Sequence, residues 1–141
     1  MRKLVMMISV LLMLLTGFIL ADFTPTLMLD WSRVPDSDWL VGNTNRAIAY
    51  YDGKLYVASR NPGAAVRILD ASDGSDIGSL DASGLSGGII AFNGLSVSDD
   101  GKIFAANLTT DARTTAFKVY MWNDDEDTSP ATVVNWTAPD E

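Results

Sequence analysis

Residues 49–59 read AYYDGKLYVAS, and residues 97–107, 48 positions further along the chain, read VSDDGKIFAAN. In both stretches Asp-Gly-Lys is followed by an aliphatic residue, an aromatic residue, a small apolar residue and alanine. Asp-Gly between two strand-like runs favours a tight primed turn, because glycine readily adopts the positive φ that such turns require. The sequence therefore predicts two copies of one hairpin.

The similarity continues beyond the hairpins. VRIL at residues 66–69 corresponds to FKVY at residues 117–120, a spacing of 51, so the second copy has about three more residues between its second and third strands. Each copy then enters a turn with acidic residues and reaches a predicted fourth strand, at 77–80 or at 132–136. Each copy is thus predicted to be a four-stranded antiparallel unit.

These units indicate an all-β fold. After residue 21 no stretch has apolar residues at helical spacing, and the runs rich in β-branched and aromatic residues are short. Four-stranded units recurring at about 40 to 50 residues are typical of β-propeller blades. Two blades cannot close a ring of about four to eight, so we expect an incomplete ring and a fragment of a longer protein. A β-sandwich of eight or nine strands is the alternative.

The predicted organisation has five segments. These are a signal peptide at 1–21, a lead-in strand and linker at 22–44, blade-like repeats at 45–87 and 88–138, and a truncated end at 139–141. Within the lead-in, residues 26–31 are predicted to form an additional strand and residues 34–40 its connection.

The N-terminal segment predicts export. Arg2 and Lys3 precede an apolar run at residues 4–20, and Ala21 is a small residue suited to cleavage. This pattern indicates a helical secretory signal peptide, and it places the protein in the periplasm, at the cell surface or outside the cell. The alternative is an uncleaved membrane anchor, since the run approaches the roughly 20 residues that cross a bilayer.

Composition excludes several classes of function. The chain has 10 basic and 18 acidic residues, a formal charge of -8, which becomes -10 without Arg2 and Lys3. This excess of negative charge argues against nucleic acid and against electrostatic docking to anionic lipid. The chain has no cysteine and no histidine, which excludes disulfides, thiolate chemistry and every mechanism that requires a histidine base within the chain. No catalytic residue and no cofactor is predicted.

The second repeat carries a longer pattern. Gly87-Gly88 is followed by DGKIFAANLTT at 100–110 and by FKVYMW at 117–122. This pattern resembles that of secreted bacterial propeller proteins grouped in a family known only as a domain of unknown function, and the resemblance covers about residues 30–138. Such proteins are typically longer and often end in a sorting or anchoring module. The resemblance implies a propeller fold and export, and it implies no activity.

Three residues are candidates for ligand binding. In a propeller, the loops between second and third strands lie on the same side as the connections between blades, and loops on a rigid scaffold concentrate binding residues. Arg46, Arg60 and Asn107 would lie there and could contact a polar ligand or the carboxylates of a partner protein or glycan. Their neighbours on that side would be Asn45, Asn61, Asn93 and residues 108–113. The alternative is that all of them satisfy the backbone of ordinary loops.

The acidic turns suggest calcium only weakly. Residues 72–76 and 99–101 bring carboxylate oxygens together at short spacing, as a hard cation prefers, but neither fits the twelve-residue calcium loop. An Asp-Gly turn needs no metal, so no metal site is predicted. The run at 124–127 is predicted to be a solvated loop.

Aromatic residues and sequons complete the candidates. The four tryptophans, Trp31, Trp39, Trp122 and Trp136, are predicted to pack between blades rather than to form a carbohydrate-stacking surface. Asn107 and Asn135 each begin a glycosylation sequon, a short pattern that matters only in a host with that machinery.

The predicted function is an exported propeller-type binding or scaffold module without catalytic activity. The alternative is part of a propeller enzyme, a metal-dependent lactonase-like hydrolase or a quinone-cofactor dehydrogenase, whose active site needs further blades. The strands predicted to line the channel, 46–51 and 95–98, contain one arginine and no acid. This composition favours binding.

Overall fold

The computed structural model describes residues 29–33 and 39–139. The predicted signal peptide at 1–21 lies outside the described residues, as do residues 26–28 of the predicted additional strand. The rest of that segment, 29–31, is not in a strand. Within the described part of the chain, no helix is long and apolar enough to cross a membrane.

Eight strands make up the described fold. They are β1 (Asn45–Tyr51), β2 (Lys54–Ser59), β3 (Ala65–Asp70), β4 (Asp76–Asp81), β5 (Ile90–Val97), β6 (Ile103–Leu108), β7 (Phe117–Trp122) and β8 (Ala131–Trp136). They form two antiparallel four-stranded sheets in chain order, β1 to β4 in the first sheet and β5 to β8 in the second. This confirms the all-β class and the two predicted four-stranded units.

The two Asp-Gly hairpins are built differently. Tyr51 pairs with Lys54, and both Asp52 (φ 45°) and Gly53 (φ 74°) have positive φ, as a two-residue primed turn requires. In the second sheet the loop has three residues, 99–101, because Ser98 N donates to Lys102 O at 2.9 Å. Only Gly101 has positive φ there (84°), which is the glycine position of a three-residue loop with a bulge. The primed turn predicted for the second copy is therefore wrong.

The pairing register corrects the alignment of the third strands. Leu55 pairs with Leu69 in the first sheet, and Ile103, the counterpart of Leu55, pairs with Trp122 in the second. Trp122 thus occupies the position of Leu69 at a spacing of 53 instead of 51. Since side chains in a strand alternate with period two, a shift of two residues leaves each side chain on the same face of the sheet.

The two sheets pack front to back. We call the side of the first sheet that meets the second sheet its front face, and the opposite side its back face. In the second sheet, the front face is the side whose residues correspond, by strand register, to front-face residues of the first sheet. The first sheet's front face presents Tyr56, Ala58, Val66, Ile68 and Leu80; the second sheet's back face presents Ile103, Ala105, Tyr120 and Trp122. These side chains form one buried cluster, and Trp122 in it is fully buried. Removal of this apolar surface from water stabilises the pair of sheets.

A smaller cluster covers the back face of the first sheet. Trp39, which precedes β1, is buried against Val57 and Leu69. The guanidinium groups of Arg33 and Arg67 lie 5.1 and 5.9 Å from the centre of the Trp39 ring, within the range of cation–π attraction. Trp39 therefore packs on a single sheet.

The remaining tryptophans differ from the prediction. Trp31 is half-buried and donates its Nε1–H to Ala71 O at 2.9 Å, near the β3–β4 turn. Trp136, in the last strand, is 51% exposed. Packing between sheets is thus found for Trp122 alone among the four.

Both outer strands contain one extra residue. Between the pairs Ile68–Gly78 and Leu69–Asp76, β4 has Ile77 in excess. In β8, Val133 is the extra residue, between the partners of Val119 and Tyr120. A bulge of this kind bends its strand and increases the local twist. The last strand of each sheet is therefore irregular.

Candidate functional site

One end of the two sheets gathers the predicted site residues. We call it the loop end; it contains the start of β1, residues 60–64, residues 82–89 and residues 109–116. Antiparallel order brings the end of β2 beside the start of β1, and Arg60 N donates to Thr44 O at 3.2 Å. Arg46 and Arg60 therefore lie in neighbouring segments of the same end.

Arg46 joins the two sheets at this end. Its Nε and Nη2 donate to the side-chain oxygen of Asn93 at 3.3 and 3.2 Å, so that β1 is tied to β5. The side chain is exposed. In the described part of the chain, no carboxylate forms an ion pair with Arg46. The guanidinium group of Arg46 is thus hydrogen-bonded to a neutral amide, and its positive charge can still attract an anion.

Arg60 and the neighbouring Asn45 each contain one unsatisfied polar atom. Arg60 Nη2 donates to Asn43 O at 3.2 Å, but its Nε is buried and has no hydrogen-bond partner among residues 29–33 and 39–139. The same holds for Oδ1 of Asn45, which pairs with Ser59 immediately before Arg60. Buried polar atoms of this kind normally find a partner. This part of the loop end thus contains one buried donor and one buried acceptor without a partner among the described residues.

Asn107, the third predicted ligand-binding residue, is engaged by the backbone. It is buried; its Nδ2 donates to Ala116 O at 3.0 Å and its Oδ1 accepts from Lys118 N at 3.0 Å. These bonds tie the two ends of the β6–β7 loop together. The contacts give Asn107 a structural role, and its amide at the first sequon is buried. The candidate binding site therefore consists of Arg46 and Arg60 without Asn107.

The β6–β7 loop is closed by its own hydrogen bonds. Thr109 Oγ1 donates to Thr115 O at 2.9 Å, and Arg113 forms an ion pair with Asp111 at 3.7 Å. The positive charge of Arg113 is therefore compensated locally, in contrast to those of Arg46 and Arg60.

The acidic turns use their carboxylates internally. Asp70 accepts from the hydroxyl and the backbone N–H of Ser72, and these bonds lower the pKa of Asp70. Asp100 pairs with Lys102 and accepts from the Ser98 hydroxyl, which lowers its pKa to about 2. In the described ranges no group of three or more acidic side chains is arranged to hold a metal ion.

The acidic run at 124–127 contains a contact that sequence reasoning missed. Asp125 pairs with Lys54 at the start of β2, so it links the second sheet to the first at the end opposite to Arg46. The hydrogen bond that Lys54 Nζ donates to Asp125 raises the pKa of Lys54. Asp127 accepts from Asn123 N at 2.7 Å. The prediction of a solvated loop describes this run only in part, because long-range pairing carries no local sequence signal.

Comparison with family models, with curated proteins and with solved structures found no significant match. The resemblance to secreted bacterial propeller proteins therefore stays a prediction.

Proposed function

We propose that this chain is an exported, propeller-type binding or scaffold module that recognises carboxylate groups of a partner protein or glycan through Arg46 and Arg60. One observation carries the proposal. In a chain of net charge -8, two guanidinium groups at one end of the sheets have only neutral oxygen atoms as acceptors among the described residues. A guanidinium group binds carboxylates with charge-assisted, often bidentate hydrogen bonds.

The packing of the sheets supports the propeller arrangement. Among the described strands, Cα atoms of the two sheets come within 8 Å where β5 meets β1 and β2. A close approach of the first strands is expected of blades arranged around a centre. Arg46 would then lie at the mouth of the central channel, where a partner can reach it.

Export rests on the N-terminal segment. The basic pair, the apolar run and Ala21 follow the order of a cleavable signal peptide. The mass of the mature protein from a bacterial host tests this part directly: cleavage after Ala21 is expected, and a chain that keeps residues 1–21 in the cytoplasm would contradict it.

Binding suits this composition better than catalysis does. The chain contains neither histidine nor cysteine, and the exposed carboxylates of Asp70 and Asp100 are held ionised by hydrogen bonds within their own turns. A general base needs a pKa near the working pH, and these two have been moved away from it.

The test is a titration of the ¹⁵N-labelled protein with two carboxylate probes, oligogalacturonate and a poly-glutamate peptide, followed by amide chemical shifts. We expect shifts at residues 43–46 and 60–61, with either probe or both. Hydrogen bonds to charged groups contribute about 1.5–3 kcal/mol, so the double variant Arg46→Ala, Arg60→Ala should bind at least tenfold more weakly. Arg113→Ala is the matched control, because Arg113 is already paired with Asp111.

Two results would contradict the proposal. One is the absence of shifts at the loop end with both probes. The other is equal weakening by Arg113→Ala and by the double variant, which would indicate a response to net charge alone.

A further inference from the structure

The front face of the second sheet is apolar and uncovered. Positions on this face have counterparts on the first sheet's front face that are buried between the sheets: Val119 corresponds to Val66, and Val134 to Leu80. Leu80 is 3% exposed, whereas Val134 is 38% exposed. Further apolar side chains of this face are Phe104, Ala106, Phe117, Met121 and Trp136. The second sheet thus presents, without a neighbour in the described part of the chain, the surface that the first sheet buries.

The back face of the first sheet is partly uncovered in the complementary way. Ile48 and Tyr50 of β1 are 63% and 65% exposed. Their counterparts in β5, Leu95 and Val97, pack against the cluster between the two sheets. The first sheet therefore exposes apolar side chains at positions that the second sheet uses for contact.

The segment before β1 leaves room for such a contact. Trp39, six residues before β1, covers Val57 and Leu69 on this back face. Leu85 has a similar position in the chain, five residues before β5. Leu85 belongs to the cluster between the sheets and does not keep them apart. Beside Trp39 a cleft of about 630 Å³ opens between Arg67, Ile77 and Pro62. A side chain placed as Trp39 is thus compatible with a sheet docked above it.

From these two complementary faces we infer that copies of this chain associate head to tail. The first sheet's back face of one copy docks on the second sheet's front face of the next, which repeats the interface within each chain. The second sheet's front face carries no charged side chain at the seven positions named above, and the only charge among the paired back-face positions of β2 and β3 is Arg67, which stacks on Trp39. The second sheet's front face therefore loses little polar hydration on contact.

The polarity of this contact determines the product. Different surfaces meet on the two copies, so the association is heterologous, and it gives a ring if the rotation closes and a filament if it does not. The inference does not depend on the carboxylate site, because neither Arg46 nor Arg60 is among the residues from which the two faces are argued.

Sedimentation of the full chain tests the inference, with variants chosen on one strand. Val134→Lys places a charge on the front face of β8, and Asn135→Lys places the same charge on its opposite side. We expect the native chain and Asn135→Lys to form oligomers, and Val134→Lys to associate at least tenfold more weakly while keeping its far-ultraviolet circular dichroism. All three share residues 1–21, so association through that segment would not distinguish them. A native monomer, or oligomers that ignore Val134→Lys, would overturn the inference.

Engineered cysteines test the polarity, because the chain contains no cysteine of its own. Ser96→Cys lies on the front side of β5, and Ile48→Cys lies on the back side of β1. When the two single variants are mixed and oxidised, we expect disulfide-linked pairs of one with the other in excess over pairs of like variants. Thr110→Cys in the β6–β7 loop is the control for random collision. An excess of Ser96→Cys pairs with themselves would indicate contact between identical faces and would overturn the head-to-tail arrangement.

Discussion

At the scale of the residue, Asn107 shows that a predicted binding residue can have a structural role. Its amide joins Ala116 O to Lys118 N across the β6–β7 loop, and its side chain is buried. Asparagine is suited to this position because one side chain supplies both a donor and an acceptor.

We predict that Asn107→Ala lowers the free energy of unfolding by about 1–3 kcal/mol, since both backbone groups lose their partner in a buried environment. Urea denaturation followed by circular dichroism measures it. Asn93→Ala, which removes a half-buried amide between the sheets, is the comparison and should cost less than about 1 kcal/mol. If Asn107→Ala left stability unchanged but abolished binding of the carboxylate probes, Asn107 would be a ligand residue after all.

The expected position of the loops was enough to predict Arg46 and Arg60 as site residues. The contacts that surround these two side chains were not predictable. The contact of Arg46 with Asn93, 47 residues away, and the unsatisfied Oδ1 of Asn45 depend on how the two sheets meet. Strand periodicity predicts which residues share a face, but it does not indicate which face is covered or by what. The distinction between paired and unpaired arginines therefore became visible only in three dimensions.

At the scale of the element, the connection into β5 depends on a glycine. Gly88 has φ of +71°, and a Cβ atom there would lie 2.2 Å from Leu108 O. The adjacent residue Ile89 donates its N–H to that same oxygen at 2.9 Å. Any side chain at position 88 would therefore disturb the bond that starts the β5–β6 pairing.

We predict that Gly88→Ala destabilises the protein more than Gly53→Ala does. Both positions have positive φ, which costs an alanine about 1–2 kcal/mol, but the space around Gly53 is open within 4 Å. The steric conflict at Gly88 should add about 1–3 kcal/mol. Thermal melts of the two variants measure the difference, and equal melting temperatures would show that the linker relaxes to accept the side chain.

The strands themselves were predictable to within a few residues, because turn residues and β-branched runs alternate clearly along the chain. The register of the third strands was not, since VRIL matches FKVY and VYMW nearly equally well as an apolar pattern. Backbone pairing places Trp122 opposite Ile103, which establishes VYMW as the counterpart of VRIL. The turn type of the second hairpin was also not predictable, because Asp99 and Asp100 allow a three-residue loop as readily as a two-residue loop.

At the scale of the molecule, the two sheets are joined by polar contacts at both of their ends. The Arg46–Asn93 hydrogen bonds lie at the loop end, and the Lys54–Asp125 ion pair lies at the other. The apolar cluster between them supplies the main attraction, and these polar contacts fix the relative position of the sheets.

We predict a coupling energy of about 0.5–1 kcal/mol between Lys54 and Asp125 in a double-mutant cycle of Lys54→Met and Asp125→Asn at pH 7. The pair is half-exposed, which limits its strength. Because the pKa of Lys54 is raised in the folded state, its contribution is complete below the ordinary lysine pKa of 10.5 and is lost as the pH rises through the higher folded value. A coupling that persisted after Lys54 is deprotonated would contradict this origin.

The extra residues Ile77 and Val133 have a consequence for how the protein avoids misassembly. They bend β4 and β8, the strands whose outer backbone groups would otherwise offer a straight template to another chain. Growth by hydrogen bonding along such an edge is the geometry of cross-β fibrils, and it requires flat strands in register. In these sheets lateral recruitment is discouraged, so an encounter between two molecules is directed toward their broad surfaces, where side chains rather than backbone groups decide whether they fit.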